Sequence, residues 1–314
     1  MPPKILVISG PTASGKTRLA VELALRHGGE VVSADSMQVY RRMDIGTAKP
    51  TPEEMRGIPH HMLDVADPEE DFSVARYVEL AAPCVDDILA RGKLPIVAGG
   101  TGLYLDSLLS GRTFAPFSPD GGLRARLEAR FDALGGGAML GELAAADPEA
   151  AARLHPNDRK RIVRALEVFQ QTGKTISQHN RETRALSPRY DALTLSLAFQ
   201  RREDMWARID RRVDEMMAAG LAEEVRALLD SGVPVRCTAM QAIGYKEMAA
   251  ALRGGGDVCA AAEEIKLRSR QYAKRQLTWF RRTEGAKWLF WGPEPDFEAA
   301  CRTSTKYLEE FGLV

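Results

Sequence analysis

The stretch Lys4–Thr17, KILVISGPTASGKT, decides the fold. Its largely apolar first six residues predict a buried strand, and residues 18–25 beyond it have the composition of a helix. The loop between them matches the phosphate-binding pattern G-x-x-x-x-G-K-[ST], here made by Gly10, Pro11, Thr12, Ala13, Ser14, Gly15, Lys16 and Thr17. Such a loop points backbone N–H groups inward, and the following helix directs its positive end at the same place. We therefore expect a phosphate site, with Lys16 as a mobile charge and the Thr17 hydroxyl as a ligand for Mg²⁺.

Further apolar runs predict strands at 30–34, 94–98, 191–199 and 288–291, separated by helical segments, one of them at 240–252. Residues 41–71, which are rich in Gly, Pro and charge, are expected to be irregular. Near-continuous apolar strands that alternate with helices indicate a parallel sheet covered on both faces. Residues 117–186 contain no convincing strand and show helical spacing instead. We predict an α/β fold, in which residues 1–116 and 188–314 form a P-loop NTPase-like parallel sheet flanked by helices, and residues 117–187 form an all-helical insertion domain. Segments 117–122 and 185–188 are the expected hinges, and Pro83 predicts a kink or break in a helix at 73–90.

Composition excludes several classes of protein. The chain has 43 basic and 43 acidic residues, so any nucleic-acid contact must come from a local cluster. No run of 18 uncharged apolar residues is present, and the first residues lead directly into a strand, so we expect neither a membrane span nor a signal peptide. The four cysteines are scattered, as in a protein of a reducing, cytoplasmic compartment. Adjacent His60 and His61 indicate local hydrogen bonding more than metal binding, because neighbouring side chains diverge.

Two polar residues follow predicted strands at the edge where open α/β sheets bind ligands. Asp35 follows the second strand, where it either shapes a turn or acts as a general base beside the phosphate loop. Thr101 follows the strand at 94–98, where it either caps the next helix or faces the phosphates. That strand ends in Gly99-Gly100 and lacks the acid that helps to hold Mg²⁺ in P-loop ATPases, which argues against nucleotide hydrolysis.

Two basic segments are candidates for binding a polyanion. Residues 159–164 form a basic helix face inside the insertion, which is either simply solvated or binds backbone phosphates. Residues 265–283 carry seven cations and no acid, and Lys266, Arg270 and Lys274 recur on one face. Arg208, in the helix after the fourth strand, either forms a surface ion pair or reaches the diphosphate.

Eight segments together resemble the tRNA dimethylallyltransferase family, in its shorter bacterial form without a zinc finger. They are GPTASGKT (10–17), VVSADSMQVYRRMDIGTAKP (31–50), IPHHMLDV (58–65), GKLPIVAGGTGLYLDSLL (92–109), NDRKRIVRALEVFQQTGK (157–174), GLAEEVRALL (220–229), QAIGYKE (241–247) and RQYAKRQLTWFRR (270–282). The match covers nearly the whole chain in the right order.

This resemblance implies transfer of a dimethylallyl group from dimethylallyl diphosphate to the N6 amine of the adenine 3′ to the anticodon, in tRNAs that read codons starting with U. It implies that the protein is a monomer, that Asp35 is the base, and that Thr101, Lys16 and Arg208 act around the diphosphate. The adenine would have to leave the stacked anticodon loop to be modified. The tRNA-binding positions that it implies are Asp35, Ser36, Met37, Gln38, Thr101, Leu123, Arg159, Lys160, Arg161, Ile162, Val163, Gln241, Ala242, Ile243, Gly244, Tyr245 and Lys246, with the insertion clamping the anticodon stem-loop.

Three other functions compete with this interpretation. A nucleoside-monophosphate kinase would need ATP in the loop, and whether ATP binds there is open. A GTPase-like switch would need an N-K-x-D motif, which the sequence lacks. Enzymes that prenylate free adenylate share the first half of the chain, but they are generally shorter and lack much of the insertion and the basic C-terminal helix. The presence of both segments here favours tRNA.

Overall fold

The computed structural model describes residues 2–111, 121–184 and 187–314. It contains one sheet of six parallel strands, in the order β3-β2-β4-β1-β5-β6. The strands are β1 (Lys4–Ser9), β2 (Gly29–Ser33), β3 (His60–His61), β4 (Leu94–Gly99), β5 (Asp191–Phe199) and β6 (Lys287–Trp291). Because all strands run the same way, every strand ends at one edge of the sheet.

The phosphate loop follows the strand at which the winding of the sheet reverses. On one side of β1, Ser9 pairs with Gly99 of β4, and on the other side it pairs with Ser196 of β5. Strands β2, β3 and β4 lie on one side of β1, and the later strands β5 and β6 lie on the other. In open α/β sheets this switch point leaves a crevice in which ligands bind.

Helices cover both faces of the sheet, as the apolar strands predict. Ile5 and Val7 of β1 belong to one buried hydrophobic cluster, whereas Leu6 and Ile8 belong to another. Successive strand residues point to opposite faces, so each cluster fills one side of the sheet. The helices of this part are α1 (Lys16–His27), α2 (Pro52–Met55), α3 (Val74–Ala90), α4 (Gly102–Leu109), α9 (Arg202–Ala218), α10 (Leu221–Asp230), α11 (Tyr245–Gly254), α12 (Val258–Phe280) and α13 (Phe297–Phe311).

The chain divides into two compact units, Met1–Leu109 with Arg189–Val314, and Ser110–Pro188. The helices of the second unit are α5 (Gly121–Ala146), α6 (Pro148–Ala151), α7 (Arg159–Thr172) and α8 (Ile176–Arg184). They pack around a buried cluster of their own that includes Leu127, Met139, Ile162 and Leu166. Most of the predicted hinges, at 117–122 and 185–188, lie outside the described residues.

The α/β class and the P-loop setting are confirmed, and three local predictions are corrected. Helix α3 continues through Pro83 without a break. Residues 60–61, expected to be irregular, form a short strand that pairs with β2. The helix expected from Met240 begins only at Tyr245, because the Glu247 carboxylate caps the N–H of Gly244 at 2.9 Å. No helix of the described residues is long and apolar enough to cross a membrane.

Candidate active site

The phosphate loop is held in shape by its own side chains. The Ser14 hydroxyl and the Lys16 ammonium both donate to the Pro11 carbonyl oxygen, at 2.8 and 2.7 Å. Trp291, at the end of β6, donates its indole N–H to the carbonyl of Ser14 at 2.8 Å. Gly15 adopts a φ of 81°, which glycine tolerates better than other residues and which turns the chain into α1. These bonds and this turn fix the shape of the loop.

Gln276 of α12 connects this loop to the turn after β4. Its side-chain oxygen accepts from Thr12 N at 2.8 Å, and its side-chain nitrogen donates to Gly100 O at 2.9 Å. Gln276 is buried, so both of its polar ends need these partners. Sequence reasoning missed this residue, because nothing in the chain indicates which face of α12 meets the loop.

The turn after β4 has no space for an acidic side chain. A Cβ atom at Gly99 would lie 2.2 Å from the Ala34 carbonyl oxygen, because the chain segments after β2 and β4 touch there. Thr101 also joins the segments after β2 and β4, since its Oγ1 accepts from Ser36 N at 3.1 Å. The close approach that sets Thr101 beside the Asp35 segment thus excludes an ATPase-type carboxylate at Gly99.

Asp35 has the turn-shaping role considered for it from the sequence, and it keeps one carboxylate oxygen without a described partner. Its Oδ1 accepts from the backbone N–H groups of Met37 and Gln38, at 2.9 and 3.4 Å, so it shapes the turn. Its Oδ2 accepts no hydrogen bond from the described residues. One carboxylate oxygen is held by the backbone while the other remains available to a ligand.

Two adjoining cavities meet at Asp35. The larger, about 670 Å³, is lined by the phosphate loop, including Lys16 and Thr17, and by Arg208. The smaller, about 340 Å³, is lined by Ser36 and Met37 and by the segment Gln241–Gly244. Residues that line both are Thr12, Ala13, Asp35, Thr47, Arg212, Met216 and Tyr272. The structure thus brings together the phosphate loop, the turn at Asp35 and the segment Gln241–Gly244, which are far apart in the sequence.

The larger cavity concentrates positive charge. Burial and, to a smaller extent, the nearby Arg212 guanidinium lower the pKa of Lys16, while Asp35 opposes the shift, and the resulting pKa is about 8. Burial also lowers the pKa of Arg212, which Asp35 partly offsets. Tyr272, in contrast, is kept neutral, since burial and the nearby Asp35 raise its pKa to about 12. Desolvated cations beside an ordered loop are suited to binding a multiply charged anion.

Arg208 reaches the loop and does not form a surface ion pair with any described residue. Its Nε donates to the carbonyl of Ala13 at 3.2 Å. Burial lowers its pKa, and so does the neighbouring Arg211. Arg212, one turn further along α9, lines both cavities, and sequence reasoning missed it.

Two of the three cations on the expected basic face of α12 form ion pairs with helix α9. Lys266 contacts Asp214 of α9 at 2.6 Å, and Arg270 contacts Asp210 at 3.0 Å. Only Lys274 of the three is exposed without an ion pair to the described residues. Asp210 and Asp214 of α9 have the same spacing of four residues as Arg270 and Lys266 of α12, so each cation meets one acid of the other helix.

The other residues that the resemblance implies differ in exposure. Gln38 and Tyr245 are buried, and the Tyr245 hydroxyl donates to Glu224 at 2.5 Å, whereas Lys246 is exposed. In the helical unit, Lys160 and Arg161 are exposed and Arg159 contacts Asp132 at 2.5 Å. Leu123, Ile162 and Val163 belong to, or pack against, the core of that unit.

Metal-binding groups are few in the described residues. No group of three or more His, Cys, Asp or Glu side chains is placed to hold a metal ion there. His61 pairs with Glu30 at 2.9 Å and His60 contacts Ile58 O at 2.8 Å, which confirms their predicted hydrogen-bonding role. The Thr17 hydroxyl lines the larger cavity and has no described partner. This fits Mg²⁺, which keeps several waters and takes few protein ligands when a phosphate supplies the rest.

Comparisons with known proteins agree with one another. The model of the IPP transferase family matches residues 38–283, and the isopentenyl transferase model matches residues 3–70. A tRNA dimethylallyltransferase of Acetivibrio thermocellus is 45% identical over 309 residues, which are 98% of each chain. The crystal structure of the full-length tRNA isopentenylpyrophosphate transferase of Bacillus halodurans has a TM-score of 0.73 and 42% identity, covering 98% of this chain and 96% of that one. A eukaryotic dimethylallyltransferase acting on tRNA has a TM-score of 0.81 and 30% identity, covering 98% of this chain and 78% of that one.

Proposed function

The chain belongs to the IPP transferase family, the family of the tRNA dimethylallyltransferases, and on that premise we propose which reaction its cavities carry out. It transfers a dimethylallyl group from dimethylallyl diphosphate to the N6 amine of the adenine 3′ to the anticodon, in tRNAs that read codons starting with U, and releases diphosphate. One observation supports this above the others: Asp35 lines both the phosphate-loop cavity and its neighbour. A base at that junction lies between the smaller cavity, which would hold the acceptor amine, and the phosphate-loop cavity, which would hold the dimethylallyl diphosphate.

The reaction is a displacement at carbon. The lone pair of N6 forms the new bond to C1 of the dimethylallyl group, the C1–O bond breaks, and the diphosphate keeps its electron pair. The N6 proton moves to Asp35, whose Oδ2 has no described partner, while Oδ1 stays bonded to Met37 N. An adenine amine is a weak nucleophile because the ring withdraws its lone pair, so removal of the proton during attack promotes the reaction.

The phosphate loop stabilises the charge that develops on the leaving diphosphate. Its backbone N–H groups, the Lys16 ammonium and the Arg208 guanidinium all line the same cavity. Thr101 supports the Asp35 segment, because its Oγ1 accepts from Ser36 N. The Thr17 hydroxyl would hold Mg²⁺, which when bound neutralises part of the charge on the diphosphate oxygens.

The proposed partner is the anticodon stem-loop of tRNA, from which the target adenine must be flipped out. The smaller cavity is its proposed place, supported by the walls at Ser36, Met37 and Gln241–Gly244. In the helical unit, the exposed Lys160 and Arg161 are proposed to contact backbone phosphates. We further propose that the protein acts as a cytoplasmic monomer.

A transfer assay tests the proposal. Labelled dimethylallyl diphosphate is incubated with unmodified tRNA whose anticodon is followed by consecutive adenines, and the digested nucleosides are separated. We expect label on adenosine at that position and stoichiometric release of diphosphate. Label on free adenylate would instead indicate the nucleotide-prenylating relatives, and transfer of phosphate from ATP would indicate a kinase.

A further inference from the structure

A third cavity, of about 350 Å³, adjoins the phosphate-loop cavity on the side of α13. Four of its lining residues, Arg18, Arg208, Arg211 and Phe297, also line the larger cavity. The two cavities are therefore parts of one depression in the sheet-containing unit. The proposed reaction uses Arg208 and gives no role to the other three residues.

Two arginines of this cavity are exposed and have no ion pair with a described residue. Arg18 extends from the first turn of α1, and its guanidinium lies 4.2 Å from the centre of the Phe297 ring. Stacking on an aromatic ring fixes the guanidinium plane and leaves its N–H edge free for an oxyanion. Arg211 lies three residues after Arg208, on the same face of α9.

Arg211 and Arg18 are both close enough to Arg208 to repel its charge. The pKa of Arg208 is lowered first by burial and then by the charge of Arg211; the Glu215 carboxylate opposes this shift, and Arg18 adds a smaller lowering. Asp204 and Glu294 also line the cavity, and neither forms an ion pair with the three arginines. A compact anion with several oxygens would contact more than one guanidinium and relieve this repulsion.

We propose that Arg18 and Arg211, with Arg208 shared, form an outer subsite for a diphosphate group. The proposal rests on the proposed function, since diphosphate is both the head group of its substrate and its product. The ligand has two possible sources, the arriving head group and the released inorganic diphosphate. In either case the outer subsite holds the anion next to the inner site formed by the phosphate loop.

The double variant Arg18→Gln/Arg211→Gln tests the subsite, with Arg236→Gln/Arg253→Gln as the control. The control pair lies in the same unit, is exposed, and lacks an ion pair to the described residues, so it removes equal charge elsewhere. Calorimetric titration with inorganic diphosphate, without tRNA, should show two binding events in the unchanged protein and in the control. The double variant should keep the inner event and lose the outer one. Thermal unfolding checks that both proteins are folded.

Kinetics separate the two sources of the anion. If the head group uses the subsite, kcat/KM for dimethylallyl diphosphate falls about tenfold in the double variant and depends less on salt. If the product uses it, the inhibition constant of added diphosphate rises about tenfold instead. Identical titrations and kinetics in the two double variants would overturn the subsite. Failure of the unchanged protein to prenylate tRNA would refute the proposed function alone, because the diphosphate titration needs no transfer.

Discussion

Removal of the Glu224 carboxylate should destabilise residues 44–46, which line the two cavities that meet at Asp35. Glu224 of α10 accepts four hydrogen bonds from groups that are distant in sequence. Its Oε2 accepts from Asp44 N and Ile45 N at 2.8 Å each, and its Oε1 accepts from Gly46 N at 3.1 Å and from the Tyr245 hydroxyl at 2.5 Å. Ile45 lines the larger cavity, Gly46 the smaller, and Asp44 the larger, so the carboxylate holds the wall in place.

The structure gives a magnitude for this effect. A hydrogen bond to a charged group contributes about 1.5–3 kcal/mol net when it is shielded from water. The bond to Asp44 N is exposed, so a bond to water readily replaces it, while the bonds from Ile45 N, Gly46 N and the Tyr245 hydroxyl are partly buried. Taking the lower figure for each of these partly buried bonds, we expect Glu224→Ala to lower the free energy of unfolding by about 4.5 kcal/mol, and Tyr245→Phe by about 1.5 kcal/mol. The double variant should show a coupling of about 1.5 kcal/mol, because one bond joins the two side chains.

Urea unfolding measures these values, with Glu223→Ala as the matched control. Glu223 is the preceding residue on the same helix, is exposed, and among the described residues forms an ion pair with Arg226 alone, at 3.6 Å. The chain just after residues 44–46 also contacts the turn that contains Asp35, since Gln38 Nε2 donates to Ala48 O at 3.1 Å. Glu224→Ala should therefore also raise KM for dimethylallyl diphosphate several-fold. If Glu224→Ala resembled the control in both measurements, the carboxylate would not hold the wall and the reasoning would fail.

Three further predictions concern the phosphate loop and the base. Asp35→Asn should lower the single-turnover rate by about 10²–10⁴ and leave tRNA affinity within about twofold, because only the proton acceptor is lost; lost tRNA binding with an unchanged rate would refute that role. Because Lys16 has a pKa of about 8, the free protein loses this charge as pH rises through that value, so kcat/KM for dimethylallyl diphosphate should fall above about pH 8. The fall should be absent in Lys16→Met, and a flat profile in the unchanged protein would contradict the prediction. Gly15→Ala should weaken diphosphate binding about tenfold by calorimetry, since φ is 81° there and a Cβ would lie 2.6 Å from the Phe297 ring.

The local parts of the candidate site could be predicted from the sequence. Lys16 and Thr17 lie in a contiguous motif, and Asp35 and Thr101 each follow a recognisable apolar strand. Parallel strands bring such positions to one edge of a sheet whatever their distance along the chain. This is why the sequence predicts the phosphate loop and the neighbouring acid without any knowledge of helix packing.

The parts that depend on helix packing could not be predicted in this way. Gln276 contacts Thr12 across 264 residues of sequence, and Glu224 contacts Asp44 across 180. A helix presents several faces, and the sequence of α12 does not indicate which of them meets the phosphate loop. Arg212 was missed for the same reason, because α9 carries arginine at three nearby positions and only the packing distinguishes them.

The cations of α12 show what charge patterns in a sequence leave undecided. A spacing of four residues predicts a basic stripe on one helix face, but it is equally the spacing that lets Lys266 and Arg270 meet Asp214 and Asp210 of α9. Those ion pairs join α12 to α9, and binding of a polyanion by the stripe stays a prediction. Arg18 and Arg211 differ from them in that no described carboxylate neutralises either guanidinium. Because α9 supplies acids at the matching spacing, the sequence of α12 alone does not indicate which of its cations are paired within the protein.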